Sequence, residues 1–232
     1  MSDDNSEVRG GSDYYAEVIS AMKESGGERI GFMSSFGWGD DPRRLVFTLS
    51  RYKFVAKMLE GLPEVLEVGC GDGFGTRVVA QAVGNVKAVD FDPDFIKSAK
   101  ACASSKYKIE FDVHDMLSSP VAGQFSAAYC LDVLEHISPD VEKTFLKNIL
   151  ACLRDDGVLI VGMPSLESQE YASHFSKLGH VNCKTQPELR TVLGAYFANV
   201  FIFSMNDEVV HTGFGKMSHY NIALCCGPRR LS

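Results

Sequence analysis

Short runs rich in apolar residues alternate with segments of helical periodicity along most of the chain. A run of about four to seven such residues, bounded by Gly, Pro or Asp, is typical of a buried strand. Five strand-like runs occupy 65–68, 86–89, 109–113, 125–131 and 157–161. Helical segments begin at Thr76, Asp92, Ser138 and Thr185. The alternation predicts a doubly wound α/β sheet of parallel strands.

Two more strand-like runs follow at 200–205 and 220–225. No helical segment separates them, so they can pair as an antiparallel hairpin. The sheet is therefore predicted to have seven strands, of which the last is antiparallel.

Residues 1–62 do not share this alternation. Residues 1–12 are polar and aperiodic, and we predict a disordered tail. Residues 13–62 are predicted to form an N-terminal helical cover, with a loop at 30–39 that carries large apolar side chains. Such a loop favours a lid or substrate wall, and a loop that only packs on the core is the alternative. Residues 63–232 form the predicted sheet domain.

The stretch VLEVGCGDGFG at 65–75 joins the first strand to the first helix of the sheet. Its glycines stand at alternate positions, where they let a ligand approach the backbone closely. Free N–H groups at the start of the following helix favour a negatively charged group. The stretch predicts a turn that holds a nucleotide-like cofactor at the carboxyl edge of the sheet. A glycine-rich turn without a ligand is the structural alternative.

An acid at the end of the second strand narrows the type of cofactor. Asp90 stands where a carboxylate can accept hydrogen bonds from both hydroxyls of a ribose. The dinucleotide pattern G-x-G-x-x-G requires glycine at position 74, and this chain has Phe74. The spacing therefore argues against a dinucleotide.

These residues resemble the first motif of class I S-adenosylmethionine-dependent methyltransferases, in particular the ubiquinone-biosynthesis O-methyltransferase branch. The resemblance implies a Rossmann-like sheet with S-adenosylmethionine at its carboxyl edge. It implies that Arg51 holds the cofactor carboxylate, that Asp115 and the Met116 N–H meet the adenine, and that Phe91 packs on its face. The full set assigned to the cofactor is Arg51, Glu67, Gly69, Gly71, Gly73, Asp90, Phe91, Asp115, Met116 and Leu131.

Three of these assignments have plain structural alternatives. Arg51 can be a surface arginine, and Asp115 can be a solvated loop carboxylate. Phe91 can pack in the core.

The stretch LDVLEH at 131–136 contains a second candidate site. In a helical turn, Asp132, Glu135 and His136 would lie on one face, which suits a hard cation or an acid-oriented histidine base. The stretch is similar to the E-x-x-E-H segment of ubiquinone-type O-methyltransferases and of small-RNA 3′-terminal methyltransferases, with Asp132 replacing the first Glu. The second family implies a divalent metal, held with a further histidine that would be His180 or His211.

Two interpretations of this stretch need no metal. In one, His136 and His180 are catalytic and one of them is the base. In the other, Glu135 and His136 only brace the turn.

Composition restricts the partners of the protein. The net charge is −7 and no Lys/Arg-rich run occurs, which argues against nucleic acid or an anionic membrane as the main partner. Seven scattered cysteines without C-x-x-C spacing fit a reducing compartment. We find no signal peptide and no apolar run that could span a bilayer, so we expect a cytoplasmic protein. The oligomeric state is not predicted.

The resemblance implies an enzyme that transfers a methyl group to an oxygen, or less readily a nitrogen, of a small molecule or sugar. A large cover suits a small buried acceptor better than a polymer. One rival function is a nicotinamide-dependent oxidoreductase, which Phe74 and the lack of a Tyr-x-x-x-Lys pair disfavour. The other is a non-catalytic S-adenosylmethionine-binding protein.

Overall fold

A computed structural model describes residues 12–27 and 29–229 of the chain. These residues fall into two compact units that divide between Ile30 and Gly31. Helix α1 (Ser12–Ser25) belongs to the first unit, and all the other elements belong to the second. The predicted tail lies outside the described residues apart from Ser12. The predicted cover at 13–62 is divided between the units, so its action as one cover stays a prediction.

Eight strands form one mixed sheet. Their bounds are β1 Glu64–Val68, β2 Asn85–Asp90, β3 Ile109–Val113, β4 Phe125–Leu131, β5 Leu153–Pro164, β6 Phe197–Asn206, β7 Val209–His211 and β8 Tyr220–Pro228. The order across the sheet is β3-β2-β1-β4-β5-β8-β6-β7. Strands β1 to β5 are parallel, and β8 is antiparallel to both of its neighbours, β5 and β6. The predicted doubly wound sheet with antiparallel C-terminal pairing is confirmed.

The sheet has one strand more than the seven predicted. Strand β7 is a three-residue segment that pairs with Ser204–Asn206 of β6, inside the connection between β6 and β8. A segment of this length gives no period in the sequence that would identify a strand.

The helices of the second unit flank the sheet. They are α2 Phe32–Asp40, α3 Arg43–Met58, α4 Thr76–Ala80, α5 Pro93–Ala101, α6 Pro139–Cys152, α7 His174–Gly179 and α8 Gln186–Gly194. Helix α8 follows the predicted start at Thr185 and has a capping box there, because the side chains of Thr185 and Glu188 each bond the other's backbone N–H. The segment predicted as a loop at 30–39 is instead mostly helical and forms α2. None of the described helices has the length and apolar character of a membrane span.

Two apolar cores lie on opposite faces of the sheet. Strand β4 is buried throughout, and its residues alternate between the cores. Ala128 and Cys130 face the core formed with α6 and α8, whereas Tyr129 and Leu131 face the core formed with α3, α4 and α5. Burial on both faces explains why β4 is a continuous apolar run in the sequence.

The carboxyl ends of the parallel strands meet at one edge of this sheet. The strand order reverses between β1 and β4, which are neighbours although two strands separate them in the chain. Ligands of doubly wound sheets bind in the crevice outside such a reversal. The turn after β1 and the segment after β4 both open there, so the two candidate sequence stretches meet at one place.

Candidate cofactor and acceptor site

A cavity of about 840 Å³ lies at this carboxyl edge. It is lined by the glycine turn, by the segments after β2, β3 and β4, and by residues of α2 and α3. The predicted site residues that line it are Gly69, Gly71, Asp90, Phe91, Asp115, Met116, Leu131, Asp132 and His136. Five others do not line it, namely Arg51, Glu67, Gly73, Glu135 and His180.

Gly71 and Asp90 form the centre of the predicted cofactor end. Gly71 has φ +53°, and a Cβ built on it meets no heavy atom within 4 Å. The Gly71 N–H donates to Asp90 Oδ2 at 2.9 Å, and the Asp92 N–H donates to Oδ1 at 3.0 Å. Two backbone bonds fix the carboxylate beside a stretch of backbone that no side chain obstructs.

The residues predicted to meet the adenine surround the neighbouring part of the cavity. Phe91 is 71% exposed, so the alternative of core packing is excluded. Met116 is buried and Asp115 is exposed, with Asp115 Oδ1 accepting from the Leu117 N–H at 2.8 Å. An open backbone cradle, a fixed carboxylate and an aromatic wall fit the parts of S-adenosylmethionine, and the individual contacts stay predictions.

Two residues assigned to the cofactor act from behind the turn. Glu67 is buried and accepts from the Tyr52 hydroxyl at 2.8 Å and from Thr76 Oγ1 at 2.6 Å. Burial raises the pKa of this carboxyl to about 7. At Gly73, a Cβ would lie 2.7 Å from the Phe111 ring. The structure therefore gives Glu67 and Gly73 packing and bracing roles, with no access to the cavity.

Arg51 pairs with Asp132. Its Nη1 lies 2.6 Å and 2.8 Å from the two Asp132 carboxylate oxygens, and its guanidinium lies 3.8 Å from the Tyr220 ring centroid. The alternative of a surface arginine is excluded, because only 15% of the Arg51 side chain is exposed. Its contact with a cofactor carboxylate stays a prediction.

The expected single face of Asp132, Glu135 and His136 does not form. Asp132 has φ +57°, an uncommon value for a residue other than glycine, and the helical turn is limited to Leu134–His136. The positive φ places Asp132 outside that turn, and its carboxylate turns to Arg51. The metal set predicted with Asp132 is corrected accordingly.

Glu135, His136 and His180 do come together. One ligand atom from each lies within 4.8 Å of the other two, and the two imidazole rings have centroids 5.2 Å apart. Glu135 is fully buried, and neither of its carboxylate oxygens has a hydrogen-bond partner among the described residues. Burial, and then the charge of Asp132, raise the pKa of Glu135 well above its usual range. An unpartnered buried acid is the kind of group that a cation would satisfy.

Both imidazoles are held in one tautomer. His136 Nδ1 lies 2.9 Å from the Gly179 carbonyl oxygen, and His180 Nδ1 lies 2.8 Å from Gln169 Oε1. These oxygens only accept, so each Nδ1 carries the proton and each Nε2 keeps a lone pair in the neutral ring. Burial, and then the neighbouring His136, lower the pKa of His180, which favours its neutral form.

A buried polar bracket carries His180 to this position. Lys184 Nζ lies 2.8 Å from Glu142 Oε2 and donates to Asn182 Oδ1 at 2.8 Å, while Asn182 Nδ2 donates to Glu142 Oε2 at 2.7 Å. The N–H groups of Val181 and Asn182 also donate to the Glu135 carbonyl. The connection after β5 is thereby attached to α6 and to the turn that holds His136.

His211, the other histidine suggested as a metal ligand, is occupied elsewhere. Its Nε2 lies 2.8 Å from Asn206 Oδ1, and its Nδ1 accepts from the Gly213 N–H at 2.9 Å. Both nitrogens serve the connection between β6 and β8, which excludes His211 from the cluster.

Residues 65–157 match the protein family described as a methyltransferase domain. The chain carries a class I methyltransferase domain. The matched residues contain the glycine turn, Asp90, Asp115 and the LDVLEH stretch, and they include β2 to β4 and all of β1 except Glu64. The predicted methyltransferase domain is confirmed over these residues.

The methyltransferase domain also has curated relatives. The chain is 32% identical over 107 residues to a ubiquinone biosynthesis O-methyltransferase of Xanthomonas axonopodis pv. citri, covering 44% of each chain. It is 31% identical over 134 residues to a 2-methyl-6-phytyl-1,4-hydroquinone methyltransferase of Synechocystis sp., covering 53% of this chain and 42% of the relative. The matches span less than half the length of these relatives.

A solved structure shares the fold beyond the matched segment. The N-methyltransferase NodS from Bradyrhizobium japonicum WM9, in complex with S-adenosyl-L-homocysteine, superposes with a TM-score of 0.63. The superposition covers 83% of this chain and 91% of that chain at 18% sequence identity.

The predicted site residues omit several residues of the cavity wall, among them Tyr52, Asp72 and His114. Tyr52 projects from α3 and bonds Glu67, and Asp72 in the glycine turn bonds α2. His114, which follows β3, also lines the cavity. For Asp72, the sequence offers one signal of a role in the site, which is its position between Gly71 and Gly73 in the glycine turn.

Proposed function

We propose that this protein transfers the methyl group of S-adenosylmethionine to a hydroxyl oxygen of a small molecule. The observation that carries the proposal is that one cavity has both the glycine turn and His136 in its wall. A cofactor and an acceptor held in one such space would react largely through orientation.

The residues that would hold the cofactor follow from the cavity wall. Asp90 would accept the ribose hydroxyls, Gly71 would let the cofactor approach the backbone, and Asp115 with the Met116 N–H would meet the adenine. When bound, S-adenosylmethionine supplies an electrophilic methyl group on its sulfonium sulfur.

His136 is the proposed base. Its Nδ1–H is held by the Gly179 carbonyl, so its Nε2 lone pair is available to accept a proton. An acceptor hydroxyl would give its proton to His136 Nε2, and its oxygen would take the methyl group as the carbon–sulfur bond of the cofactor breaks. S-adenosylhomocysteine and the methylated oxygen are the products. His180 does not line the cavity, but its ring packs against the His136 ring and would help to position it.

A second form of the proposal places a divalent cation at Glu135, His136 and His180. The unpartnered carboxylate of Glu135 favours this form, together with two imidazoles whose Nε2 lone pairs are available. A cation there would lower the pKa of an acceptor hydroxyl, and it would replace the histidine as the means of activating it.

The names of the relatives suggest the acceptor class. One is named an O-methyltransferase of ubiquinone biosynthesis, which supports an oxygen acceptor over an amine. Another is named a methyltransferase of a phytyl hydroquinone, which supports a phenolic acceptor molecule. The NodS neighbour is an N-methyltransferase, so amines belong in the test panel, and sugars remain the other hydroxyl class.

The proposal is tested by tritiated methyl transfer. Purified protein is incubated with labelled S-adenosylmethionine and panels of phenols, hydroquinones, sugars and amines. S-adenosylhomocysteine binding is measured separately by calorimetry. We expect incorporation into a phenolic hydroxyl. His136→Ala should keep cofactor affinity and lose about 10²–10⁴-fold in turnover.

His211→Ala is the matched control and should keep both affinity and turnover. If a cation binds at Glu135, His136 and His180, His180→Ala should lose turnover and a chelator should cause the same loss in the wild type. Added Mg²⁺ or Zn²⁺ should then restore turnover in the wild type and not in the variant. Full turnover in both His136→Ala and His180→Ala would return these residues to a structural role. Cofactor binding with no transfer to any panel would favour a non-catalytic binding protein.

A further inference from the structure

Helix α2 forms part of the cavity wall without any core of its own. Met33 and Ser34 line the cavity, yet none of the nine residues of α2 is buried. Its largest side chains face solvent, with Phe36 62% and Trp38 61% exposed. Most short helices are held by a buried apolar face, so α2 must depend on a few specific contacts.

Asp72 provides the most direct of these contacts. Its Oδ2 accepts from the Ser34 N–H at 2.8 Å, and its Oδ1 lies 3.1 Å from Ser34 Oγ. The N-cap residue of α2 is Gly31, which has no side chain to cap the helix. A carboxylate from the cofactor turn thus satisfies a first-turn N–H of α2, and its charge suits the positive end of the helix dipole.

The backbone of Gly31 fits this long-range cap. Gly31 has φ +90°, and a Cβ there would lie 2.4 Å from the Asp72 carboxyl group. Only glycine lets the chain approach Asp72 so closely. Phe32 makes the second attachment, because its ring stacks on Phe95 of α5 with centroids 5.2 Å apart.

We propose that Asp72 is a positioning residue that closes α2 over the cofactor cavity and releases it when ligands exchange. One end of the contact is Asp72, between Gly71 and Gly73 in the cofactor turn, and the other end is Ser34 in α2. Closure of α2 and occupancy of the turn are therefore coupled through one carboxylate. The inference rests on the proposed function, because it needs S-adenosylmethionine or S-adenosylhomocysteine in the cavity.

The fluorescence of Trp38 can be used to follow the position of α2. It is the only tryptophan of the chain and it lies in α2. We expect S-adenosylhomocysteine to change Trp38 emission in the wild type. Dissociation, followed by stopped-flow fluorescence, should be about tenfold faster in Asp72→Asn, which loses the charge of the cap. Gly31→Ala leaves Asp72 intact and should have the same effect, because its Cβ separates α2 from the turn.

Two controls isolate the contact. Ser35 Oγ bonds only the Gly31 carbonyl among the described residues, so Ser35→Ala should dissociate at the wild-type rate. A Cβ on Gly39 meets no heavy atom within 4 Å, so Gly39→Ala controls for glycine replacement near the cover. Wild-type rates in both Asp72→Asn and Gly31→Ala would overturn this inference alone. A wild type that binds no S-adenosylhomocysteine would overturn the proposed function together with it.

Discussion

The two sides of the cavity differ in how their buried acids are satisfied. On the cofactor side, formed by residues 69–75 and Asp90, the carboxylates accept defined hydrogen bonds. Asp90 accepts two backbone N–H groups, and Glu67 behind the turn accepts two hydroxyls. On the histidine side, Asp132, Val133 and His136 line the cavity, and the buried acid behind them is Glu135. Within the described part of the chain, neither of its oxygens has a partner.

The two sides therefore differ in whether the protein itself satisfies their buried polar groups. The acids of the cofactor side are satisfied by neighbouring backbone N–H and hydroxyl groups, so this side has the geometry of a preformed binding site. The histidine side holds a costly unpartnered acid and Asp132 at positive φ. Such costs are typical of functional sites, where a bound ion, acceptor or proton supplies what the fold lacks.

Gly71→Val should break the cofactor side most completely. A β-branched side chain would fill the open space over the turn and would be strained at φ +53°. We expect S-adenosylhomocysteine binding to fall below detection in calorimetry.

Gly61 provides a matched control for the strain alone. It has φ +83°, it also has open space around a Cβ, and it does not line the cavity. Gly61→Val should lose stability and keep ligand affinity. Measurable binding by Gly71→Val in the usual crevice would mean that the cofactor does not lie against this turn.

Glu142→Ala should damage the histidine side and leave the cofactor side intact. It leaves Lys184 buried without its partner, which costs about 3–5 kcal/mol of stability. Turnover should fall steeply because the bracket no longer holds His180, whereas S-adenosylhomocysteine affinity should stay close to that of the wild type. Urea unfolding and calorimetry measure the two effects.

A double variant separates the lost charge from the lost positioning. Glu142→Met with Lys184→Met replaces the buried pair by apolar groups and should recover most of the stability but not the turnover. If ligand affinity fell in parallel with turnover in Glu142→Ala, the two sides would not be independent.

Glu67→Gln should have the smallest effect on ligand binding and turnover, and its effect on stability should depend on pH. In the folded protein Glu67 keeps its proton up to about pH 7, whereas the unfolded chain releases it near 4.5. Between these values the folded state binds more protons, so wild-type stability falls as the pH rises. The Gln variant lacks this proton and should be more stable by about 3 kcal/mol at pH 7, with little difference at pH 4. Thermal unfolding of the variant and the wild type at pH 4 and pH 7 measures this difference. The same difference in stability at both pH values would argue against a neutral Glu67.

Features coded by neighbouring residues could be predicted from the sequence. The glycine turn, Asp90 and the capping box at Thr185 each depend on residues a few positions apart or on strand ends. The parallel sheet follows from apolar runs and helical segments of ordinary length. These features are local, so one sequence is sufficient to find them.

Features that depend on distant partners could not be predicted. The spacing predicts Asp132 on a helical face, but its positive φ places it outside the helical turn. Its carboxylate instead pairs with Arg51, which lies 81 positions earlier in the chain. The glycines and serines of residues 30–39 predict a loop, whereas α2 forms there and Asp72 caps its first turn from 38 positions away. In both cases a long-range carboxylate decided the local conformation.

The position of β8 has a consequence for synthesis of the chain. This strand lies between β5 and β6, although both precede it in sequence. On the ribosome, β5 and β6 are therefore made before the strand that must separate them. Until β8 emerges, each of the two has an exposed apolar edge, which is a template for wrong pairing with another chain. Buried Ile222, Ala223 and Cys225 then complete the sheet. Nascent chains stalled before residue 220 should consequently be the form of this protein that most needs a chaperone.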